Sequence, residues 1–261
     1  MYEALIKPAV KDLYHFILDT LFPIYCLICE KEDIKFICDV CKNKLTKLEH
    51  QHCIVCKKPS PGGLTHPICK TPHMPEGLIS IFNYHDKKVA DILIKGKYKF
   101  LPEVYEVLGK MIVDDIKNKF PDVLHGITYD QEVMVIPLPL HKRRLRWRGF
   151  NQSEVLAKTV SDVLLIPYDD LLIRGKPTKT QKDLKKEQRI KNVKDAFKIK
   201  FPPKIGGVAG QESGQGGITI KDKNVILIDD VVTTGSTLLE AAKVLKRSGA
   251  KEVWCLTVAR D

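Results

Sequence analysis

The chain has 261 residues, of which 44% are apolar and 29% charged, and its formal net charge is +11. This length and composition exclude a disordered tail and leave room for one substantial core with a small appendage. Much of the excess charge lies between residues 142 and 198, where 16 Lys and Arg stand against 7 Asp and Glu. Such a basic region attracts phosphates, whether they belong to a nucleic acid or to a small molecule.

The N-terminal stretch, residues 1–23, repeats apolar residues at helical spacing, which predicts a helix, but Asp12, His15 and Asp19 interrupt the apolar pattern. Neither a signal peptide nor a membrane span tolerates charges at that density. We therefore expect a cytoplasmic protein without membrane insertion. In that compartment closely spaced cysteines stay reduced and more often bind metal than form disulfides.

Seven of the eight cysteines lie between Cys26 and Cys69. They form three C-x2-C pairs and, with a histidine, one H-x2-C pair: Cys26 and Cys29, Cys38 and Cys41, Cys53 and Cys56, His66 and Cys69. Two such turns complete the tetrahedron that zinc prefers, and a closed four-ligand site is structural rather than catalytic. The spacing predicts two structural zinc ions within a small N-terminal module, residues 1–75.

The pairing of these ligands is left open by the spacing. The simplest arrangement is sequential, with the first two pairs on one ion and the last two on the other, but an interleaved arrangement is also compatible. His50, His52 or His73 could replace His66. A disulfide framework is disfavoured because the module holds an odd number of cysteines. The eighth cysteine, Cys255, is predicted to pack in the core as a small apolar side chain.

From Gly77 onward, apolar runs of strand length alternate with helical segments. The runs are LISIFNY, VMVIPLPL, VILI and VWCLTVA, and the helices are predicted near residues 99–119, 150–165 and 236–248. This alternation predicts an α/β fold over residues 76–261, with a parallel sheet flanked by helices. The glycine-rich segment 201–221 is predicted to be a loop before a strand, and no function is assigned to it.

The segment VILIDDVVTTGSTLLEAAKVL, residues 225–245, contains a buried strand, two carboxylates, a Thr/Gly/Ser loop and a helix. The N–H groups at the start of a helix, together with its dipole, form an anion site suited to a phosphate. Asp229 and Asp230 would repel a phosphate, but they can accept hydrogen bonds from sugar hydroxyls. The pattern therefore predicts a ribose carrying a 5′-phosphate as the ligand; helix capping alone explains only one or two of these residues.

The same segment closely resembles the motif by which type I phosphoribosyltransferases bind 5-phosphoribosyl 1-diphosphate (PRPP). The resemblance implies that Asp229 and Asp230 bind the ribose 2′ and 3′ hydroxyls. It implies that the following loop binds the 5′-phosphate through these residues: Val231, Thr233, Thr234, Gly235, Ser236 and Thr237. Some purine-using members carry an aspartate at the position of Thr233, where it acts as a base. A threonine cannot do this.

A second basic motif, HKRRLRWRGFNQ, follows the strand at residues 133–136 and places five cations between residues 142 and 148. It is expected to form a turn before a helix that begins near Asn151. Together with P-L-P, TKTQ (178–181), QRIKNVKDAF (188–197) and DDVVTTGST, it resembles the ComF family of competence-associated, phosphoribosyltransferase-like proteins. The upstream cysteine clusters match that family as well. The resemblance implies the type I phosphoribosyltransferase fold, with a small N-terminal zinc-binding module.

The resemblance also implies how pyrophosphate is bound. The loop after the first strand of the domain, with Pro139 and Leu140, would hold it with the help of Mg²⁺, and Arg143 and Arg148 are the predicted arginine partners. Asp229, Asp230 and Arg143 are the candidate catalytic residues. His141 is expected to be a turn residue. Residues 174–189 would form a flexible lid over the reacting centre.

Two functions remain compatible with the sequence. The first is a phosphoribosyltransferase that releases pyrophosphate from PRPP and is linked to natural competence and DNA uptake. The second is a single-stranded DNA-binding or adaptor protein that keeps the PRPP site without being chiefly an enzyme, with other competence proteins as partners. Lys142, Arg144 and Arg146 exceed what one pyrophosphate requires and could contact a nucleic-acid backbone. Trp147 and Phe150 could stack on bases, although aromatics at such a turn are more often packing residues.

Overall fold

The computed structural model describes residues 23–129, 132–176, 193–200 and 220–261. The predicted N-terminal helix, most of the predicted lid and nearly all of the glycine-rich segment lie outside the described residues. Within them, no helix is both long and apolar enough to cross a membrane.

Residues 23–76 contain two metal-knuckle turns with the same backbone geometry. In the first, Cys26 N–H donates to the carbonyl of Lys31 (2.9 Å); in the second, Cys53 N–H donates to the carbonyl of Lys58 (2.9 Å). The residue after each C-x2-C pair, Glu30 or Lys57, has positive φ (58° and 62°). The remaining structure is short: helix α1 (Asp39–Lys42) and 3-10 turns at Pro61–Gly63 and Pro67–Cys69.

A four-stranded parallel sheet forms the centre of the molecule. Its strands are β1 (Gly77–Asn83), β2 (Val133–Pro137), β5 (Asn224–Val232) and β6 (Glu252–Arg260), in the order β1-β6-β5-β2. All three strand pairs are parallel. The predicted parallel sheet is confirmed, and each strand matches one of the predicted apolar runs. Cys255 is fully buried in β6, as predicted.

Helices cover both faces of this sheet. They are α2 (Lys87–Tyr98), α3 (Pro102–Lys119), α4 (Pro121–Thr128), α5 (Lys142–Arg148), α6 (Gln152–Leu164) and α7 (Ser236–Arg247). Ile226 and Ile228 of β5 pack in a core with α3 and α6, whereas Val225 and Leu227 pack in a second core with α7. This alternation follows from the two-residue period of a strand, which points successive side chains to opposite faces.

The basic stretch is a helix rather than the predicted turn. His141 caps α5, because its Nδ1 accepts a hydrogen bond from the Arg143 N–H (3.2 Å). Gly149 ends the helix with φ of 75°. The histidine predicted to be a turn residue therefore caps a helix. The five cations of the basic motif are distributed around that helix.

Two shorter strands flank the predicted lid. β3 (Leu172–Arg174) pairs antiparallel with β4 (Phe197–Ile199), with Arg174 opposite Phe197.

Residues 23–76, called the zinc segment, pack directly against the sheet. The side-chain amide of Gln51 donates to the carbonyl of Ser80 (2.8 Å) and its oxygen accepts from the Ser80 N–H (2.9 Å). Leu27 and Ile37 belong to the core that contains α3, whereas Ile54 belongs to the core that contains α7. The segment thus contributes to both sides of the sheet.

Candidate functional site

A cavity of about 400 Å³ opens at the carboxyl ends of the four parallel strands. Tyr84 follows β1, Leu138 follows β2 and Asp261 follows β6, and all three line the cavity with the end of β5. Open parallel sheets bind ligands at this edge, because the strand ends and the helix N-termini meet there. The volume suits one small ligand.

The turn that follows β5 and the first two residues of α7 form the phosphate loop, residues Thr233–Thr237. Gly235 is the N-cap of α7 and has φ of 79°, a conformation that L side chains rarely adopt. The hydroxyls of Thr234 and Ser236 are hydrogen-bonded (2.9 Å). The loop thus presents hydroxyls and the positive end of a 12-residue helix to the cavity, which is an arrangement that binds a phosphate.

Asp229 and Asp230 lie at the end of β5, on the cavity wall. Oδ1 of Asp229 accepts hydrogen bonds from the Ser153 hydroxyl and the Asp230 N–H, both at 2.9 Å. Burial, and then the neighbouring carboxylate of Asp230, raises the pKa of Asp229 to about 7. Asp230 forms an ion pair with Lys97 of α2. The two carboxyl groups therefore differ: the pKa of Asp229 is raised to about 7, whereas Asp230 is paired with the ammonium group of Lys97.

Three arginines line the same cavity: Arg144 and Arg148 of α5, and Arg174 of β3. The Nε atom of Arg148 is buried and has no hydrogen-bond partner within the described residues. Burial, and then the positive charge of Arg144, lowers the pKa of Arg174 to about 10. Partly or fully buried guanidinium groups that repel one another are expected in a site that binds a polyanion.

The structure brings together most of the predicted ligand-binding residues. The cavity lining contains Pro139, Leu140, Arg148, Asp229, Asp230, Val231, Thr233, Thr234, Gly235 and Thr237. Ser236 is buried behind the loop, bonded to Thr234. Arg143 is not brought into this site: it lies on the exposed side of α5, and Arg144 lines the cavity instead. The reason is the helix, which turns neighbouring side chains about 100° apart.

Tyr84, Lys97, Ser153 and Asp261 are among the lining residues that sequence reasoning did not name. Arg174, which also lines the cavity, was named only as the first residue of the predicted lid. Tyr84 and Asp261 could have been found, because Tyr84 ends one predicted strand and Asp261 lies two residues after another strand of the same parallel sheet. Lys97 and Ser153 gave no such signal, since only the packing of α2 and α6 brings them to the cavity. The Asp261 N–H donates to the carbonyl of Val232 (2.9 Å), which places this aspartate beside Thr233.

The eight predicted metal ligands form two clusters with sequential pairing. One holds Cys26, Cys29, Cys38 and Cys41, and the other holds Cys53, Cys56, His66 and Cys69. Within each, the ligand atoms lie within 4.8 Å of one another, and Cys29 Sγ is 3.9 Å from Cys38 Sγ. A tetrahedral ion with bonds of about 2.3 Å holds its sulfurs ~3.8 Å apart. Both clusters therefore fit structural Zn²⁺.

His66 belongs to the second cluster through its Nδ1 atom, which lies 3.2 Å from Cys56 Sγ. Its other ring nitrogen, Nε2, is 3.1 Å from the carbonyl oxygen of Pro59. A metal-bound histidine commonly donates its second N–H to such a carbonyl, which fixes the orientation of the ring.

Three aromatic side chains lie together beside the cavity. Tyr98 and Phe100 each contact Trp147 edge-on, with ring centroids 5.8 Å apart, and the Arg148 guanidinium lies 5.9 Å from the Trp147 centroid. Trp147 is 55% exposed. Phe150, in contrast, is a packing residue against Tyr105 (5.9 Å) in the core. The two aromatics of the basic motif therefore have different environments.

Two family models match the chain: "Phosphoribosyl transferase domain" over residues 151–261 and "Double zinc ribbon domain" over residues 17–71. DNA utilization protein YhgH of Escherichia coli K12 is 28% identical over 234 residues, which is 84% of this chain and 89% of that protein. Competence protein ComFC of Bacillus subtilis is 25% identical, covering 91% and 95%. Competence protein F of Haemophilus influenzae is 35% identical over 127 residues, or 48% and 49%.

The fold, the cavity and the two cysteine clusters define a class of protein: a type I phosphoribosyltransferase fold preceded by a double zinc ribbon. The chain is similar to competence protein ComFC over both of its parts. Together with the two family models, this similarity supports a ComF family protein.

Proposed function

We propose that the protein binds PRPP with Mg²⁺ in the cavity and transfers the phosphoribosyl group with release of pyrophosphate, in a role linked to competence and DNA uptake. One observation carries the proposal: two carboxylates, a phosphate loop and the arginines Arg144, Arg148 and Arg174 line a single cavity. A sugar that carries phosphate groups at two ends matches this set of groups. The competence and DNA-utilization names of the relatives support the wider role.

Asp229 and Asp230 would accept hydrogen bonds from the ribose hydroxyls, and the phosphate loop would hold the 5′-phosphate. Pro139, Leu140, Arg144 and Arg148 would surround the pyrophosphate. The carboxylates at the cavity wall supply the oxygen environment that Mg²⁺ prefers, and the ion would neutralise charge on the leaving group. The nucleophile would displace pyrophosphate at the ribose C1 carbon through an oxocarbenium-like state, stabilised mainly by these fixed charges.

Calorimetry with PRPP and Mg²⁺ tests the proposal. The Asp229→Asn, Asp230→Asn double variant should weaken PRPP binding by about 100-fold, because two charge-assisted hydrogen bonds to hydroxyls are lost. Circular dichroism and zinc content check that the variant is folded. Unchanged affinity in a folded double variant would contradict the assignment. Incubating the wild type with PRPP, Mg²⁺ and a panel of bases, amines and DNA, while measuring pyrophosphate release, tests turnover.

We propose single-stranded DNA binding as a second function, on a different observation. The aromatic cluster of Tyr98, Phe100 and Trp147 is half exposed, at 53%, 48% and 55%, and lies next to the basic helix α5. Aromatic faces among cations bind unpaired bases by stacking while the cations contact the backbone. On this hypothesis Lys142 and Arg146, on the exposed side of α5, contact DNA phosphates.

Trp147→Ala should weaken oligo(dT) binding by about tenfold, since stacking contributes roughly 1–3 kcal/mol per base. Tyr129→Ala is the matched control, because Tyr129 is also an exposed aromatic (72%) but packs against His125 instead. Fluorescence anisotropy at several salt concentrations gives both affinity and charge dependence. An equal effect of the two variants, or an affinity independent of salt, would rule out this surface.

A further inference from the structure

The second zinc knuckle, Cys53–Lys57, lies directly on the phosphate loop. Lys57 Nζ donates a hydrogen bond to the carbonyl of Thr233 (2.9 Å). Ile54 is 1% exposed and packs beneath Gly235. A Cβ atom at Gly235 would lie 3.1 Å from Ile54 Cγ1 and 3.2 Å from the Ile54 carbonyl oxygen. One polar and one apolar contact therefore join the knuckle to the loop.

The knuckle is also held from the side of the sheet. Arg260, at the end of β6, is 7% exposed and donates to the carbonyls of His52 (2.7 Å) and Cys53 (3.3 Å). Two of the knuckle residues, Cys53 and Cys56, belong to the second ligand cluster. The sheet and the metal ligands therefore hold the knuckle in place. The knuckle can in turn hold the phosphate loop, which packs against it.

The bond from Lys57 determines which way a peptide group of the loop faces. In a trans peptide the C=O and the following N–H point in opposite directions. Because the Thr233 carbonyl is held toward the knuckle, the Thr234 N–H is directed to the other side of the loop. Thr233 and Thr234 line the cavity, whereas Lys57 does not. Without this bond the peptide could turn and present a carbonyl oxygen to a bound phosphate.

We infer that the second zinc knuckle positions the phosphate loop, and that Lys57 and Ile54 are the positioning residues. This inference rests on the proposed function, because it gives the loop a phosphate to bind. It makes the N-terminal zinc ribbon part of the ligand site rather than a separate appendage. The first zinc knuckle, with Cys26 and Cys29, makes no comparable contact with the phosphate loop within the described residues.

Three variants of the full-length, zinc-loaded chain test the inference. Lys57→Met removes the donor but keeps the length of the side chain, and Lys57→Arg keeps both charge and donors. Lys58→Met is the matched control, because it removes the same charge one residue away. Lys58 has no side-chain hydrogen bond or ion pair with the described part of the chain. Zinc content, calorimetry with PRPP and Mg²⁺, and hydrogen exchange of the Thr233–Leu238 amides are measured for each.

Lys57→Met should keep both zinc ions, weaken PRPP binding by about threefold to tenfold, and speed amide exchange in the phosphate loop before ligand is added. Lys57→Arg should restore both properties, and Lys58→Met should resemble the wild type. Equal losses of affinity in the two Met variants, with unchanged exchange, would mean simple charge attraction and overturn the inference. If the wild type binds no PRPP, the proposed function fails, but the exchange of the loop still decides whether Lys57 positions it.

Discussion

The environment of Asp229 is costly to the fold. Its carboxyl group is buried beside Asp230, so its pKa rises to about 7. A carboxyl group whose pKa is raised in the folded state destabilises the protein progressively as the pH rises from its usual pKa toward the raised one. A residue that lowers stability in this way and lines a cavity is typical of a ligand site rather than of a structural one.

Asp229→Asn should therefore separate stability from binding. At pH 8 the variant should be more stable than the wild type by roughly 1–3 kcal/mol, and the difference should shrink as the pH falls from about 7 toward about 4, where the carboxyl group is protonated in both the folded and the unfolded state. PRPP affinity should fall in the same variant. Thermal unfolding over this pH range and calorimetry at pH 8 measure the two effects. A variant less stable than the wild type at pH 8 would show that the buried carboxylate does not destabilise the fold.

The basic motif is best understood at the scale of its element. In an irregular turn, the five cations of the motif would have no regular directions. In helix α5 they lie on distinct faces. Arg144 and Arg148 are four residues apart, so they share the face that lines the cavity. Arg143 and Arg146 lie on the exposed side.

This division predicts unequal effects of equal charge changes. Arg148→Gln should weaken PRPP binding by more than about tenfold, because the proposed pairing of a partly buried guanidinium group with pyrophosphate is lost. Arg143→Gln, which removes the same charge from the same helix, should change the affinity by less than about twofold at moderate salt. Calorimetry on both variants checks this. A larger effect of Arg143→Gln would return that residue to the catalytic role predicted from the sequence.

At the scale of the whole molecule, the zinc segment and the sheet share their cores. Leu27 and Ile37 pack on one face of the sheet and Ile54 on the other. The division of the chain near residue 75 remains a prediction about its organisation. The shared cores indicate that the two parts unfold together, since neither buries its apolar surface alone.

Zinc removal should therefore lower the stability of the entire chain. Metal analysis should find about two zinc ions per chain, and Cys69→Ser should lose one of them and lower the Tm by roughly 5 °C or more in a single transition. Ile68→Ser is the control: Ile68 lies in the same turn and is 95% exposed, so both ions should remain. Loss of one zinc with an unchanged Tm would contradict the shared core.

Features that depend on local spacing could be predicted from the sequence. The alternation of strand-length apolar runs with helical segments predicted the parallel sheet, the C-x2-C pairs predicted the metal ligands, and the segment 225–245 predicted the phosphate loop. These features depend only on neighbours along the chain, so they can be predicted without knowing what packs against them. The distribution of the five cations over different faces could not be predicted, because residues 142–148 were expected to form a turn and they form a helix.

The set of distant residues that share the cavity depends on how the helices and strands pack. Lys97 meets Asp230, and Ser153 meets Asp229, because α2 and α6 pack against the carboxyl edge of the sheet. The contact of Lys57 with Thr233 likewise arises only when the second zinc knuckle is laid on β5 and β6. Such contacts have no fixed sequence spacing. They follow from the packing of elements, which the pattern of a single sequence does not contain.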